Sequence, residues 1–514
     1  MAPFPSGLLV LTAPLGSVPG RAAAALAAAA GLVAGPLYVH LQPGLLLGGS
    51  APLPAAPPPA PVLLRALAAL YSAAAAHRGL DVRVLLGHGH RLAEPPRVLL
   101  ADGGGGDEDP VSFGLRQLAA AAYGCPPPGC PPCCWATPTL PAYPDVVVGG
   151  TFDRLHGAHR LLLSACCLLA RRRLLVGVAD GELLRHKVLK ELIEPYELRA
   201  AKLREFLADV QPAVLYDIVP LADPYGPAAT DPELSCIVVS EETRKGGEAV
   251  NKKRLENGLA ALELFEIQLI KDPEHSRNEE EKISSSSLRQ RLLGTLLRPP
   301  REAPTLPPRP YVIGLTGGTG SGKTSIARLL GQLGAFLIDA DKLGHAAYLP
   351  GGPAYERVLA AFGAEILSED GTINRKVLGA KVFGNQPPKA ARGALVVPCV
   401  ARNNERWPRP AGKAVCVLDA AVLLEAGWQE MVHEVWTAVI PEEEAVKRIM
   451  DRDGLSEGAA HSRLRSQMSN SQRVEQSQVV LCTLWEPEIT RKQVEKAWAL
   501  LQQRLSHAPG SPSR

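Results

Sequence analysis

The chain has 514 residues, with 55 Lys and Arg against 52 Asp and Glu and a formal net charge of +3. At roughly 150 residues per domain this length implies about three or four units, and the near-balance of charge gives no reason to expect a nucleic-acid partner, so any anion binding is local. Ten scattered cysteines, two of them adjacent at Cys166 and Cys167 in an apolar run, suit a reducing compartment rather than a disulfide framework.

Residues 1–140 are rich in Ala, Leu, Pro and Gly, and Asp81 is the first acidic residue. An acid-poor start is half of a transit-peptide signature, but before Asp81 only Arg21, Arg65 and Arg78 are basic, so the Arg-rich half is missing. The compartment expected is cytoplasmic, mitochondrial or both. Ala22 to Val39 carries no charge, yet its Ala, Gly and Pro content makes it a poor membrane span, and peripheral membrane contact is the more plausible reading. Strand-like runs at Gly7–Thr12 and Asp81–Leu86 flank a helical segment at Leu63–His77, which allows a small α/β domain without a catalytic constellation. Gly103–Gly106 and the proline-rich cluster of Cys125, Cys130, Cys133 and Cys134 read as a connection. The cysteine spacing hints at zinc but fits no standard ligand pair.

At Asp145 the composition changes. Val146–Val148 form a buried strand, Gly149, Gly150 and Thr151 make a turn, and Phe152, Asp153, His156 and His159 lead into an apolar helix from about Ala158 to Ala170. Arg171–Arg173 stand where cations would face that helix's negative end. Strand, glycine turn and helix N-terminus together build a phosphate cradle. A second strand runs from Leu174 to Val178, and Ile237–Thr243 is another strand ending in a polar loop, where ligands gather in open parallel sheets.

The run from Gly150 to His159 resembles the nucleotidyltransferase superfamily signature G-T-F-D-x-x-H-x-G-H, with Ala158 in place of its last glycine. The resemblance implies that His156 and His159 donate to phosphate oxygens during in-line attack, with Thr151 beside them, as electrostatic and positional catalysis. Ile283–Arg289 resembles the superfamily's I-S-S-[ST]-x-x-R element, which implies that Ser285, Ser286 and Arg289 hold the triphosphate. Read by composition alone, the serine run is also a linker. Lys187 resembles a phosphate-neutralising lysine of the same superfamily, and with Lys190 one turn away it reads equally well as part of a solvated face.

Arg298–Pro310 holds six prolines, so a stiff extended spacer is expected between two modules. After the apolar run Tyr311–Leu315, Gly317–Thr324 reads G-G-T-G-S-G-K-T, every fixed position of G-x-x-x-x-G-K-[ST], and Ser325–Leu333 is helical. Gly317, Gly320, Ser321 and Gly322 shape a loop whose N–H groups face an anion, Lys323 reaches the outer phosphates, and the Thr324 hydroxyl suits Mg²⁺. Ala335–Asp341 is a strand ending in two carboxylates, where Asp341 is a candidate general base or a helix cap. Val415–Asp419 is hydrophobic and ends in Asp, as a Walker B strand does.

These motifs, with Arg452–Ser456, Arg463 and Gln467, resemble dephospho-coenzyme A kinase, which implies a lid whose Arg452 and Arg463 close over phosphates. The order of the two modules resembles the bifunctional coenzyme A synthases. The implied fold is α/β, two doubly wound parallel-sheet domains (nucleotidyltransferase Rossmann-like and P-loop kinase) after an N-terminal region. The expected division is 1–140, 145–297, the 298–310 linker, 311–506 and a 507–514 tail. The implied substrates are ATP with Mg²⁺, 4'-phosphopantetheine and dephospho-CoA. Gln386–Gly412 departs from the pattern, because five prolines and Gly393 prevent a continuous helix and put the kinase step in question. Two other readings stay open: a P-loop ATPase, and a nucleotide-sensing scaffold. No N-K-x-D guanine reader follows the P-loop, since Asn251-Lys252-Lys253 precedes it.

Overall fold

Apolar strands separated by long helices pair in parallel through right-handed crossovers. Every named strand pair in the computed structural model is parallel. The structure describes residues 3–41, 60–77, 79–86, 92–101, 140–272, 275–276, 279–302, 306–340, 349–352, 355–374, 377–378 and 414–507. Two compact units divide the chain, Met1–Leu288 and Arg289–Arg514.

The first unit opens with β1 (Gly7–Leu11), α1 (Val18–Ala30), β2 (Pro36–Leu41), α2 (Ala60–Ala75), β3 (Asp81–Leu85) and β4 (Val98–Ala101), in the sheet order β3-β2-β1-β4. The uncharged stretch from Ala22 to Val39 spans most of α1 and part of β2, with Ala22, Leu26, Ala29 and Val39 in the core. Burial accounts for that apolar stripe, while Ala23, Ala24, Ala27 and Ala28 on the other face of α1 are exposed and uncharged. Among the described residues no helix is long and apolar enough to cross a membrane.

A second sheet follows in the same unit: β5 (Tyr143–Gly150), α3 (Gly157–Leu169), β6 (Ala170–Ala179), α4 (Tyr196–Val210), β7 (Leu215–Leu221), β8 (Cys236–Ser240), α5 (Arg244–Glu256) and β9 (Glu263–Ile267), ordered β7-β6-β5-β8-β9. Arg171–Arg173 do not close α3 but begin β6. The reason is Asp145, fully buried, which accepts from Arg172 at 2.7 and 2.8 Å and from Arg173 at 2.9 Å. A buried carboxylate needs cations more than a helix terminus does. The two sheets share one hydrophobic core, in which Leu67, Tyr71 and Val84 belong to the same cluster as Val146, Leu161 and Cys166. The helix α6 (Ser285–Leu292) carries the chain across the division between units.

The second unit contains β10 (Tyr311–Gly317), α7 (Lys323–Gln332), β11 (Phe336–Asp339), α8 (Tyr355–Phe362), β12 (Val415–Asp419), β13 (Glu434–Val439), α9 (Glu442–Asp453), α10 (Glu457–Arg465), α11 (Asn470–Glu475), β14 (Val479–Cys482) and α12 (Pro487–His507). The sheet runs β11-β12-β10-β13-β14. The start of the expected spacer is tied into this unit: Leu296 bridges Val479, the Leu297 N–H donates to the Gln478 carbonyl at 2.7 Å, and Arg298 donates to the carbonyls of Val474 and Ser477. The cysteine cluster at 125–134, Gly103–Gly106 and the proline-rich stretch 386–412 lie outside the described residues.

Candidate active sites

In the first unit the strand order reverses beside β5, the topological switch point at which open α/β sheets take ligands. Gly149 and Gly150 end β5, and the loop that follows bends through positive φ at Phe152 (48°) and Arg154 (49°), a conformation non-glycine residues seldom adopt. Phe152 is held there by burial, at 1% exposure. Asp153, fully buried, accepts from the Glu194 N–H at 3.0 Å and from Arg154 at 2.9 Å, which pins the loop from both sides.

That loop delivers His156 as the N-cap of α3 and His159 one turn later. Their rings stack with centroids 3.8 Å apart, and Phe152 lies against His159 at 5.2 Å. Loss of solvent around the ring pushes the His159 pKa down to about 4, with Asp153 opposing the shift and Arg160 adding to it. His159 is therefore neutral at pH 7, and its Nδ1 is buried without a hydrogen-bond partner among the described residues. The second element of the cradle arrives with α6. Ser285 Oγ donates to the Asp153 carbonyl at 3.1 Å and lies 3.3 Å from His156 Nε2, so two helix N-termini meet at one point.

The structure thus brings Gly149, Gly150, Thr151, His156, His159 and Ser285 together. Ser286 follows in the first turn of α6, and Arg289 stands one turn on, buried at 1% exposure. Lys187 is exposed, in a turn whose N–H donates to the Leu184 carbonyl. Sequence reasoning missed Arg199. Its buried guanidinium donates to the carbonyls of Thr151, Ala179 and Glu194 at 2.8 Å each, tying the cradle loop to the end of β6. Arg199 and Asp209 are both buried on α4, and no local pattern in the sequence separates them from the helix's solvated charges.

In the second unit the glycine loop connects β10 to α7. Gly320 and Gly322 have φ of 83° and 77°, and a Cβ at Gly317 would fall 2.5 Å from Ser321 Oγ and 2.7 Å from the Ala438 carbonyl. Only glycine fits this curl. Lys323 is paired with Asp419 at the end of β12, and the parallel register sets Asp339 of β11 beside Asp419. Thr324 is exposed in the first turn of α7, and Ser321 is buried in the loop. Asp341 lies outside the described residues.

Gln467 spans the loop, accepting from the Thr319 N–H at 3.0 Å and donating to Thr319 Oγ1 at 2.8 Å. Arg448, unremarked in the sequence, donates to Thr483 Oγ1 at 2.8 Å and to its carbonyl at 2.7 Å, while Thr483 Oγ1 donates to the Ser321 carbonyl. Arg452 and Arg463 both reach Asp453, at 2.8 Å, on the exposed α9–α10 hairpin. Arg452, first of all, holds the Asp453 carboxyl below its ordinary range.

A P-loop on a five-stranded parallel sheet, with its lysine against a strand-end carboxylate, defines a P-loop kinase. The histidine cradle on the preceding sheet defines a Rossmann-like nucleotidyltransferase. Residues 311–483 match the dephospho-CoA kinase family, 147–291 the cytidylyltransferase-like family, and 5–130 the COASY N-terminal domain. The dephospho-CoA kinase of Geobacter sulfurreducens is 40% identical over 191 residues, 37% of this chain and 97% of that protein. That of Moorella thermoacetica is 37% identical over 203 residues, 39% of this chain and 96% of the relative. The phosphopantetheine adenylyltransferase of Saccharomyces cerevisiae is 39% identical over 145 residues, 28% of this chain and 47% of the yeast protein. The chain belongs to the dephospho-CoA kinase family, and its three matches together bear out the resemblance to the bifunctional coenzyme A synthases.

Proposed function

We infer that the chain performs two consecutive reactions: adenylyl transfer from ATP to 4'-phosphopantetheine, giving dephospho-CoA and pyrophosphate, and ATP-dependent phosphorylation of the dephospho-CoA 3'-hydroxyl to give CoA. The observation that carries this reading is the presence in one chain of two separate phosphate cradles, each within a segment similar to enzymes of one of the two steps.

At the first cradle, His156, His159 and Thr151 face the α-phosphate as the pantetheine phosphate attacks in line. Ser285, Ser286 and Arg289 hold the departing pyrophosphate, while Gly149 and Gly150 let the nucleotide approach the backbone. A neutral imidazole keeps one N–H to donate, and the charge accumulating on the phosphorus oxygens strengthens that bond in the transition state. Lys187 binds a substrate phosphate from its exposed turn.

At the second cradle the loop N–H groups from Gly317 to Gly322 and the Lys323 ammonium bind the β- and γ-phosphates, and Lys323 exchanges Asp419 for them. The ribose hydroxyl loses its proton to Asp341, two residues after β11 in the sequence. Arg452 and Arg463 turn from Asp453 to the phosphates when the hairpin closes. The Thr324 hydroxyl and the Asp419 carboxylate are oxygen donors of the type Mg²⁺ takes. Bound there, Mg²⁺ would neutralise charge on the triphosphate.

The test is incubation of the purified protein with 4'-phosphopantetheine and Mg-ATP, with dephospho-CoA and CoA resolved by mass. Both should appear in sequence. ATP hydrolysis without either product would favour a P-loop ATPase, and nucleotide binding without turnover a sensing scaffold.

A further inference from the structure

We propose that the N-terminal domain is a working part of the adenylyl-transfer site, with Asp81 as a positioning residue that fixes, through Arg160, the turn of α3 on which His156 and His159 stand. This rests on the reading of that cradle as the transfer site.

Arg160 immediately follows His159, and its guanidinium does not point to solvent. It forms an ion pair with Asp81 at 2.6 Å, donates to the Val82 carbonyl at 2.9 Å, and lies over the Phe206 ring at 5.8 Å. Asp81 and Val82 are the first two residues of β3, so the side chain next to the catalytic histidine is anchored in the other sheet. The anchor is itself braced. Arg83 donates to Asp81 at 2.6 Å and to Glu205 at 2.7 Å and pairs with the buried Asp209, which also accepts from the Ala93 N–H at 2.8 Å. The Leu86 N–H donates to the Val210 carbonyl at 2.8 Å at the end of α4.

A second contact acts on the same turn. A Cβ at Gly157 would fall 2.7 Å from the Tyr71 carbonyl, so α2 presses its backbone against the first residue of α3. Tyr71, fully buried, also meets Ser164 at 3.0 Å, two turns along. The helix bearing both histidines is gripped at residues 157, 160 and 164 by side chains and backbone of the N-terminal domain. A displacement of about 1 Å at reacting groups can cost on the order of 10² in rate, so this grip bears on catalysis as well as on folding.

The test uses the full chain with Asp81→Asn, which keeps the shape and removes the charge, and Asp81→Glu, which keeps the charge. Each preparation is assayed for adenylyl transfer and for dephospho-CoA phosphorylation, and hydrogen–deuterium exchange is followed across residues 157–165. Asp81→Asn should lower the transfer kcat by at least about tenfold with little change in the phosphopantetheine KM. The phosphorylation step should be unchanged, exchange should quicken in α3, and Asp81→Glu should restore most of the rate. Unaltered transfer and exchange overturn the proposal, as does an equal loss of both activities. Should Asp81→Asn fail to fold, Arg160→Lys keeps the charge without the fork that reaches both Asp81 and Val82, and is judged by the same results. If the wild-type chain shows no transfer at all, the functional reading falls. The exchange data then decide the grip alone: faster exchange confined to α3 upholds it, and unchanged exchange ends it.

Discussion

The Lys323 ammonium, in the first turn after the glycine loop, is paired with the carboxylate of Asp419, the last residue of the strand beside β10. Both side chains are largely buried, at 12% and 13% exposure. A triphosphate bound at the glycine loop would therefore compete with Asp419 for the lysine. Asp419→Asn is expected to reduce dephospho-CoA phosphorylation by at least about tenfold, with adenylyl transfer unaffected. Steady-state rates for each step, measured on one preparation, check this.

His159 links the first site to pH. Its folded pKa of about 4 lies below the ordinary histidine value of about 6.5. The folded state therefore binds fewer protons than the unfolded chain in that window, and stability is full above pH 6.5 and falls as pH drops toward 4. Between pH 7 and 4.5 the wild-type unit should lose about 2 kcal/mol more than His159→Gln. Urea titrations at the two pH values provide the comparison.

Gln467 lies where phosphates are expected, its amide holding both the N–H and the hydroxyl of Thr319. Replacing the amide by a carboxylate keeps an acceptor for the N–H and adds a charge of the same sign as the nucleotide. Gln467→Glu should weaken Mg-ATP binding at the kinase site by about tenfold or more, read as a raised KM for Mg-ATP in the phosphorylation of supplied dephospho-CoA.

Arg199 is buried and satisfies three carbonyl oxygens around the transfer loop. Arg199→Met fills much of the volume but leaves those acceptors without a donor. A loss of about 3 kcal/mol in stability is expected, with transfer falling before phosphorylation on heating. Thermal unfolding followed alongside the two activities tests the order.

The glycine turns were legible because they combine composition with a fixed spacing. Gly150 to His159 and Gly317 to Thr324 each announce strand, loop and helix, and the structure has them at β5–α3 and β10–α7. Strand β2 was not, since an uncharged Ala-rich context hides the alternation that marks a strand, and β4, four apolar residues between Arg97 and Asp102, is too short to show a period. Arg171–Arg173 misled for a different reason: their partner, Asp145, is distant in sequence, and no local rule pairs them. The same holds for Arg160 and Asp81, Arg199 and Thr151, and Gln467 and Thr319, whose meaning is tertiary.

The central claim is that two cradles work separately and in order. Its most direct test is product analysis of Lys323→Ala and His159→Asn supplied with 4'-phosphopantetheine and Mg-ATP, then with dephospho-CoA and Mg-ATP. Lys323→Ala should stop at dephospho-CoA, while His159→Asn should make nothing from phosphopantetheine yet convert dephospho-CoA to CoA. Formation of CoA by Lys323→Ala at the wild-type rate, or loss of both steps in either variant while it remains folded, would contradict the account.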